Sequence, residues 1–189
     1  MYDGQCKRVR LYRAMAKNNS IELTPDCSAC AALCCVVFAF DKSESFAIDK
    51  AAGEVCPNLD DNMECKVFQD REELGFKGCI TYNCHGAGQR VTQEVFKGMS
   101  WRQDPSLKHR MGEALSVLRR IHEQLTLLSM ASRMNLDKGE RETLEGLEKS
   151  LTPVSRWSEE ELSNYPIDRV TKNVSKFLLG LQRLVKKPN

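Results

Sequence analysis

The chain of 189 residues is long enough for one domain, or for a compact module joined to a helical region. Hydrophobic residues make up 41% and charged residues 29%, which is typical of a folded globular protein and excludes a disordered one. A formal net charge of +2 is too small to indicate nucleic acid or an acidic membrane surface as a partner. No apolar run approaches the roughly 20 residues of a membrane span, so we expect a cytoplasmic protein.

The first 19 residues carry several basic side chains but no apolar core behind them. They therefore lack the pattern of a secretory signal. We expect residues 9–16 to form a surface helix.

Cysteine is the most unusual component of the chain, with nine residues that all occur before position 85. Because a reducing cytoplasm does not preserve disulfides, a cysteine cluster there more often marks a metal site or a redox site. Cys6 lies outside the pattern, and we expect it to be a simple structural residue. The eight candidate metal ligands are Cys27, Cys30, Cys34, Cys35, Cys56, Cys65, Cys79 and Cys84.

The densest cysteine group has the form C-x2-C-x3-C-C and spans residues 27–35. On a helix, Cys27, Cys30 and Cys34 would share one face, and in a turn a C-x2-C pair brings two sulfurs to one ion. Either arrangement predicts converging thiolates, which suit zinc, copper(I) or an iron–sulfur cluster. Cys35 then points elsewhere or to a second ion. The four later cysteines could supply the remaining ligands from loops.

Residues 20–98 are predicted to form a small, irregular metal-binding module. Within it, residues 27–40 are expected to begin as a helix and continue as a strand, 46–48 to form a short strand, and 69–74 a short helix. Such a segment has few core-forming elements and needs an additional cross-link for stability. A bound metal ion can provide that cross-link.

Residues 99–189 are predicted to be helical, with the joint between the two parts at residues 98–105. Apolar residues recur every three or four positions over 106–135, 138–150 and 167–185, which is typical of amphipathic helices. Ser158 followed by Glu161 is a capping-box pattern. The expected fold is mainly α, a cysteine-rich module packed on a helical bundle-like half, in one compact unit.

The sequence also leads to expectations for five other side chains. Trp101 and Trp157 flank the helices and are expected to be packing anchors. His109 and His122 lie on the long helix and are expected at surface or boundary positions. His85 follows Cys84 and is a turn residue, an alternate ligand or a base beside a thiolate.

The cysteine pattern resembles the CxxCxxxCC cysteine-cluster family, the YkgJ-like proteins described as zinc- or iron-chelating, and the segments around residues 53–60, 65–71 and 78–84 resemble it as well. A closer resemblance is to the cysteine-rich N-terminal region of bacterial pentapeptide-repeat proteins, which share residues 79–93 and the neighbourhood of Trp101 and Asp104. The repeats of those proteins have no counterpart in this sequence. The resemblance implies metal binding in a bacterial cytoplasm and no settled activity.

The residues leave three functions open. The first is a metal-binding protein whose iron–sulfur or zinc centre has a structural, an electron-transfer or a sensing role. The others are a metalloenzyme with an open coordination position and a metal-free thiol–disulfide protein. Three close cysteines with a distant fourth slightly favour an iron–sulfur cluster, and two four-cysteine zinc sites are the close alternative. The helical half is a lid over the site or a surface for a protein partner.

Overall fold

The computed structural model describes residues 21–185. Within this range the regular secondary structure is helical and contains no strand, so the fold is mainly α, as predicted. Two isolated antiparallel pairs occur, Phe40 with Lys50 and Leu59 with Cys65. The helix predicted at 9–16 and Cys6 lie outside the described residues.

The seven α-helices of residues 21–185 fall into a group of short ones before residue 96 and a group of mostly longer ones after it. Short 3₁₀ turns occur at Cys27–Ala29 and Gln182–Leu184, and α3 continues as a π-helical turn over Val91–Val95. The helices are α1 Cys34–Val37, α2 Lys77–Thr81, α3 Ala87–Arg90, α4 Leu107–Ala131, α5 Lys138–Ser150, α6 Glu159–Ser163 and α7 Ile167–Gly180.

Three local predictions for the cysteine-rich segment are wrong in detail. Residues 27–40 contain a 3₁₀ turn and a single helical turn but no strand. Residues 46–48 form no strand either, because Phe40 and Phe46 stack with ring centroids 4.3 Å apart and fold this segment back on itself as a loop. Residues 69–74 are a series of turns that ends at Gly75, whose φ of 79° stops a helix from forming there.

The long helices follow the predicted pattern closely. α4 is 25 residues long and ends at Ala131, four residues before the predicted end at 135. α5 has the predicted bounds and begins with a capping box between Asp137 and Glu140. The predicted capping box of Ser158 and Glu161 starts α6. α7 ends at Gly180, before the predicted end at 185.

One hydrophobic core contains residues from both parts of the chain. Leu33 and Val36 of the cysteine-rich segment are buried in the same cluster as Leu118 and Ile121 of α4. The predicted packing anchors are confirmed, since Trp101 and Trp157 are only 7% and 6% exposed. Helix α4 is therefore the scaffold against which the cysteine-rich segment packs. None of the helices in residues 21–185 has the length and hydrophobicity to cross a bilayer.

Candidate metal centre

The eight candidate ligands lie in the described residues, and all eight are free thiols. Cys27 opens the first 3₁₀ turn, where the side chain of Asp26 accepts from Ser28 N at 3.0 Å and caps the turn. Cys30 N donates to Cys27 O at 3.3 Å, so the C-x2-C pair forms one tight turn. The chain then enters α1 with Cys34.

Four side chains from the part of the chain after α2 form hydrogen bonds with the loop of residues 26–31, which we call the first cysteine loop. Its backbone N–H groups donate to Gln89 Oε1 at 2.9 Å and to Thr92 Oγ1 at 3.0 Å. Its carbonyl oxygens accept from Gln93 Nε2 at 2.8 Å and from Trp101 Nε1 at 2.7 Å. Because these bonds use side chains other than the cysteines, the loop is fixed while its thiols stay available as ligands.

Four of the candidate thiols line a common cavity of about 30 Å³. Tyr82, Gly88 and Leu115 contribute to its other walls. The cysteines that line it are Cys27, Cys30, Cys34 and Cys84.

Burial and mutual proximity raise the pKa values of the Cys27 and Cys30 thiols. Burial raises the pKa of Cys30 to about 12, and the nearby thiols of Cys34 and Cys84 add to the effect. The pKa of Cys27 is raised by burial first and then by the same two thiols. The thiols of Cys27 and Cys30 therefore keep their protons at neutral pH, and a metal that binds them must displace those protons.

The remaining four cysteines do not line this cavity, and we call them the second group: Cys35, Cys56, Cys65 and Cys79. Cys56 N donates to Cys35 O at 2.9 Å, and Cys65 lies in the antiparallel pair with Leu59. Burial raises the pKa of Cys79 to about 11, followed by the thiols of Cys34, Cys56 and Cys65. Cys79 is therefore close to Cys34 of the cavity as well as to Cys56 and Cys65.

The thiols are near one another but are not arranged as a finished coordination sphere. Among residues 21–185, no three histidine, cysteine, aspartate or glutamate side chains converge closely enough to hold a metal ion as they stand. Cys34 Sγ and Cys35 Sγ are 4.0 Å apart. Since a cysteine sulfur swings through staggered positions about one torsion, thiols on a shared cavity can converge by side-chain rotation alone.

Gly88 allows α3 to approach the first cysteine loop. A Cβ atom at this position would lie 2.7 Å from Cys30 Sγ and 3.9 Å from Cys84 Sγ, so a side chain here would displace the Cys30 thiol and would be in ordinary contact with the Cys84 thiol. No sequence pattern indicates this role, because the Gly-Ala-Gly segment of residues 86–88 is typical of a turn.

We expect Gly88→Ala to lower the metal content of the purified protein at least twofold, because the added methyl group forces Cys30 Sγ out of the cavity. Gly146→Ala is the matched control, since Gly146 lies in α5 with nothing within 4 Å of the added Cβ. That control should keep its metal and gain about 0.5–1 kcal/mol in the free energy of unfolding. Equal metal contents in the two variants would contradict the role of Gly88.

The prediction that His122 occupies a surface or boundary position is wrong, because the residue is 0% exposed. His122 Nε2 lies 3.1 Å from a guanidinium nitrogen of Arg90, and Nδ1 lies 2.6 Å from His85 O. A guanidinium can only donate, so Nε2 accepts and Nδ1–H donates, which fixes the neutral tautomer. The spacing from Leu118 to His122 to Leu125 places it on the buried stripe of α4, and this signal could have revealed it.

This network anchors the segment that carries Cys84. Arg90 also donates to both carboxylate oxygens of Glu94 at 3.0 Å. His85 adopts a positive φ of 50° and its carbonyl oxygen is the acceptor for His122. His85 is thus a turn residue that ties Cys84 to α4. The surface prediction for His109 is confirmed, since its side chain is 85% exposed.

Comparison with known proteins finds a relative from Bacillus subtilis (strain 168), named uncharacterized protein YybG. The two sequences are 34% identical over 169 residues, which cover 89% of this chain and 61% of the relative. The chain therefore spans less than two thirds of the relative's length. No protein-family model matches the sequence, and no solved structure matches the chain. The resemblance to the CxxCxxxCC cysteine-cluster family stays a prediction.

Proposed function

We propose that the protein binds metal through its cysteines, as a zinc or an iron–sulfur centre with a structural, electron-transfer or sensing role. The observation that carries the proposal is the cavity that Cys84 shares with Cys27, Cys30 and Cys34. Cysteines from two separate parts of the chain meet there, which the tight C-x2-C turn alone does not require. Membership of the CxxCxxxCC cysteine-cluster family and a bacterial cytoplasmic setting, in which thiols stay reduced, belong to the same proposal.

The chemistry of the cavity suits a soft metal ion. The donors that line it are thiols, which bind zinc and iron–sulfur clusters well. Tyr82 also lines the cavity, and its buried hydroxyl has no hydrogen-bond partner among the described residues. Burial raises the pKa of Tyr82, so the hydroxyl keeps its proton and can donate to a thiolate sulfur. Such an outer hydrogen bond commonly orients metal ligands.

The spacing of the cysteines bears on which metal the centre holds. The sequence spacing slightly favours the cluster, because three close cysteines and a distant fourth are typical of cuboidal ligation. Analysis of the purified protein identifies the metal.

The experiment is anaerobic purification of the full chain, followed by an absorbance spectrum and quantitative metal analysis. Colourless protein with one or two zinc ions per chain supports the zinc form, on the chemistry of four-cysteine sites. Brown protein with iron and sulfide supports the cluster. A protein with neither metal, whose helix content is unchanged by chelator, contradicts the proposal and favours the thiol–disulfide alternative.

A metalloenzyme is the other alternative, and it requires a coordination position that no protein side chain fills. A loaded protein whose metal has four sulfur ligands would exclude such a position in that centre. A protein partner on the helical half also stays a prediction.

A further inference from the structure

Cys34 and Cys35 are adjacent in α1 but have different neighbours. Consecutive residues on a helix point about 100° apart, so the two side chains leave the helix in different directions. Cys34 lines the cavity, whereas the carbonyl oxygen of Cys35 accepts from Cys56 N. The CC pair therefore lies where the two cysteine groups meet.

Backbone contacts also link Cys56 and Cys65, two members of the second group. Leu59 N donates to Cys56 O at 3.0 Å and forms a turn, and Leu59 then pairs with Cys65 in the antiparallel arrangement. The thiol of Cys79 interacts electrostatically with that of Cys34 and then with those of Cys56 and Cys65. None of these three lines the cavity of the first group.

A buried lysine lies beside the second group. Lys50 is 3% exposed, and its Nζ donates to the carbonyl oxygens of Val36, Ala51 and Glu54 at 3.2, 3.1 and 2.8 Å. Three donated hydrogen bonds require the protonated ammonium form, because a neutral amine has only two hydrogens.

Lys50 forms no ion pair with a carboxylate of residues 21–185. An ammonium buried without a counter-ion is unfavourable. The groups whose negative charge favours the ammonium are the thiol of Cys56, then the carboxylate of Glu54, then the thiols of Cys35 and Cys34. Four thiolates around a divalent ion carry a net negative charge, which would add to that of the Glu54 carboxylate.

We propose, on the basis of the metal-binding function above, that the eight cysteines form two separate four-cysteine centres, and that Lys50 is the counter-cation of the second. The first centre contains Cys27, Cys30, Cys34 and Cys84. The second contains Cys35, Cys56, Cys65 and Cys79. The 4.0 Å between the sulfurs of the CC pair would also allow one shared centre, and the experiment distinguishes the two arrangements.

The test compares the metal content per chain of the full protein, Cys84→Ser, Cys65→Ser and the double variant, with helix content as the check on folding. Each single variant should keep half of the parent's metal, and the double variant should keep none. If either single variant loses all its metal while keeping its helices, the cysteines share one centre and the division is wrong. A parent protein without metal instead overturns the metal-binding function itself.

Lys50→Met tests the counter-cation, because it removes the charge and preserves a long apolar side chain. In the Cys84→Ser background, which keeps only the second centre, the substitution should speed metal loss to a chelator at least tenfold. In the Cys65→Ser background, which keeps only the first centre, the rate should change less than twofold. Equal effects in both backgrounds, or none in either, would overturn this role of Lys50.

Discussion

Replacement of Cys30 by serine should lower the metal content and destabilise the cysteine-rich segment by on the order of 5 kcal/mol, since structural zinc contributes about 10–16 kcal/mol in small domains. The effect should be large because the described helices before residue 96 have only four or five residues each, and helices of this length are not stable alone. Cys30 also lines the cavity and contacts the position of Gly88.

The measurement is limited proteolysis of the cysteine-rich segment together with metal analysis. Cys6→Ser is the control, because Cys6 lies outside the C-x2-C-x3-C-C pattern and the later cysteines of the sequence. This control should keep full metal and the parent's protease resistance. A Cys30→Ser protein that melts like the parent and retains all its metal would show that Cys30 is not a ligand.

His122→Leu should destabilise the protein by about 2–3 kcal/mol at neutral pH. The substitution leaves an Arg90 N–H group and the His85 carbonyl oxygen without a partner, and each unpaired buried group costs about 1–3 kcal/mol. His109→Leu on the same helix is the control. The exposed side chain of His109 predicts a change within about 0.5 kcal/mol.

The pH dependence provides a second test of His122. Burial lowers its pKa from 6.5 to about 4 in the folded protein, so between these values the unfolded chain binds more protons than the folded one. The stabilising contribution is complete above pH 6.5 and is lost as the pH falls towards 4, a total of about 3 kcal/mol. Chemical denaturation across this range should show that the difference between parent and His122→Leu narrows on acidification. A constant difference would contradict a buried neutral histidine.

The helical half could be predicted because its signals are local. The three-and-four spacing of apolar residues and the capping boxes at Asp137 and Ser158 depend on neighbours within one or two turns. α5 was predicted with its observed bounds. The ends of α4 and α7 were predicted several residues too late, because apolar spacing continues into the following turns.

The cysteine-rich segment was harder to predict because long-range contacts determine its backbone. The segment in which Phe40 stacks on Phe46 is a loop and not the expected strands, and no local sequence pattern predicts this stack. The meeting of Cys84 with the first cysteine loop depends on the close approach at Gly88. Lys50 is buried by carbonyl groups that only the folded chain brings together. The cysteine spacing predicted which residues to examine, and the fold determines how they group.

The most direct test of sulfur ligation is X-ray absorption spectroscopy at the metal edge of the anaerobically purified full chain. We expect a first shell of four sulfur atoms per metal, at about 2.3 Å if the metal is zinc. Substitution of Cys84 by serine should reduce the edge intensity per chain. A first shell of oxygen or nitrogen atoms without sulfur would contradict ligation by the cysteines.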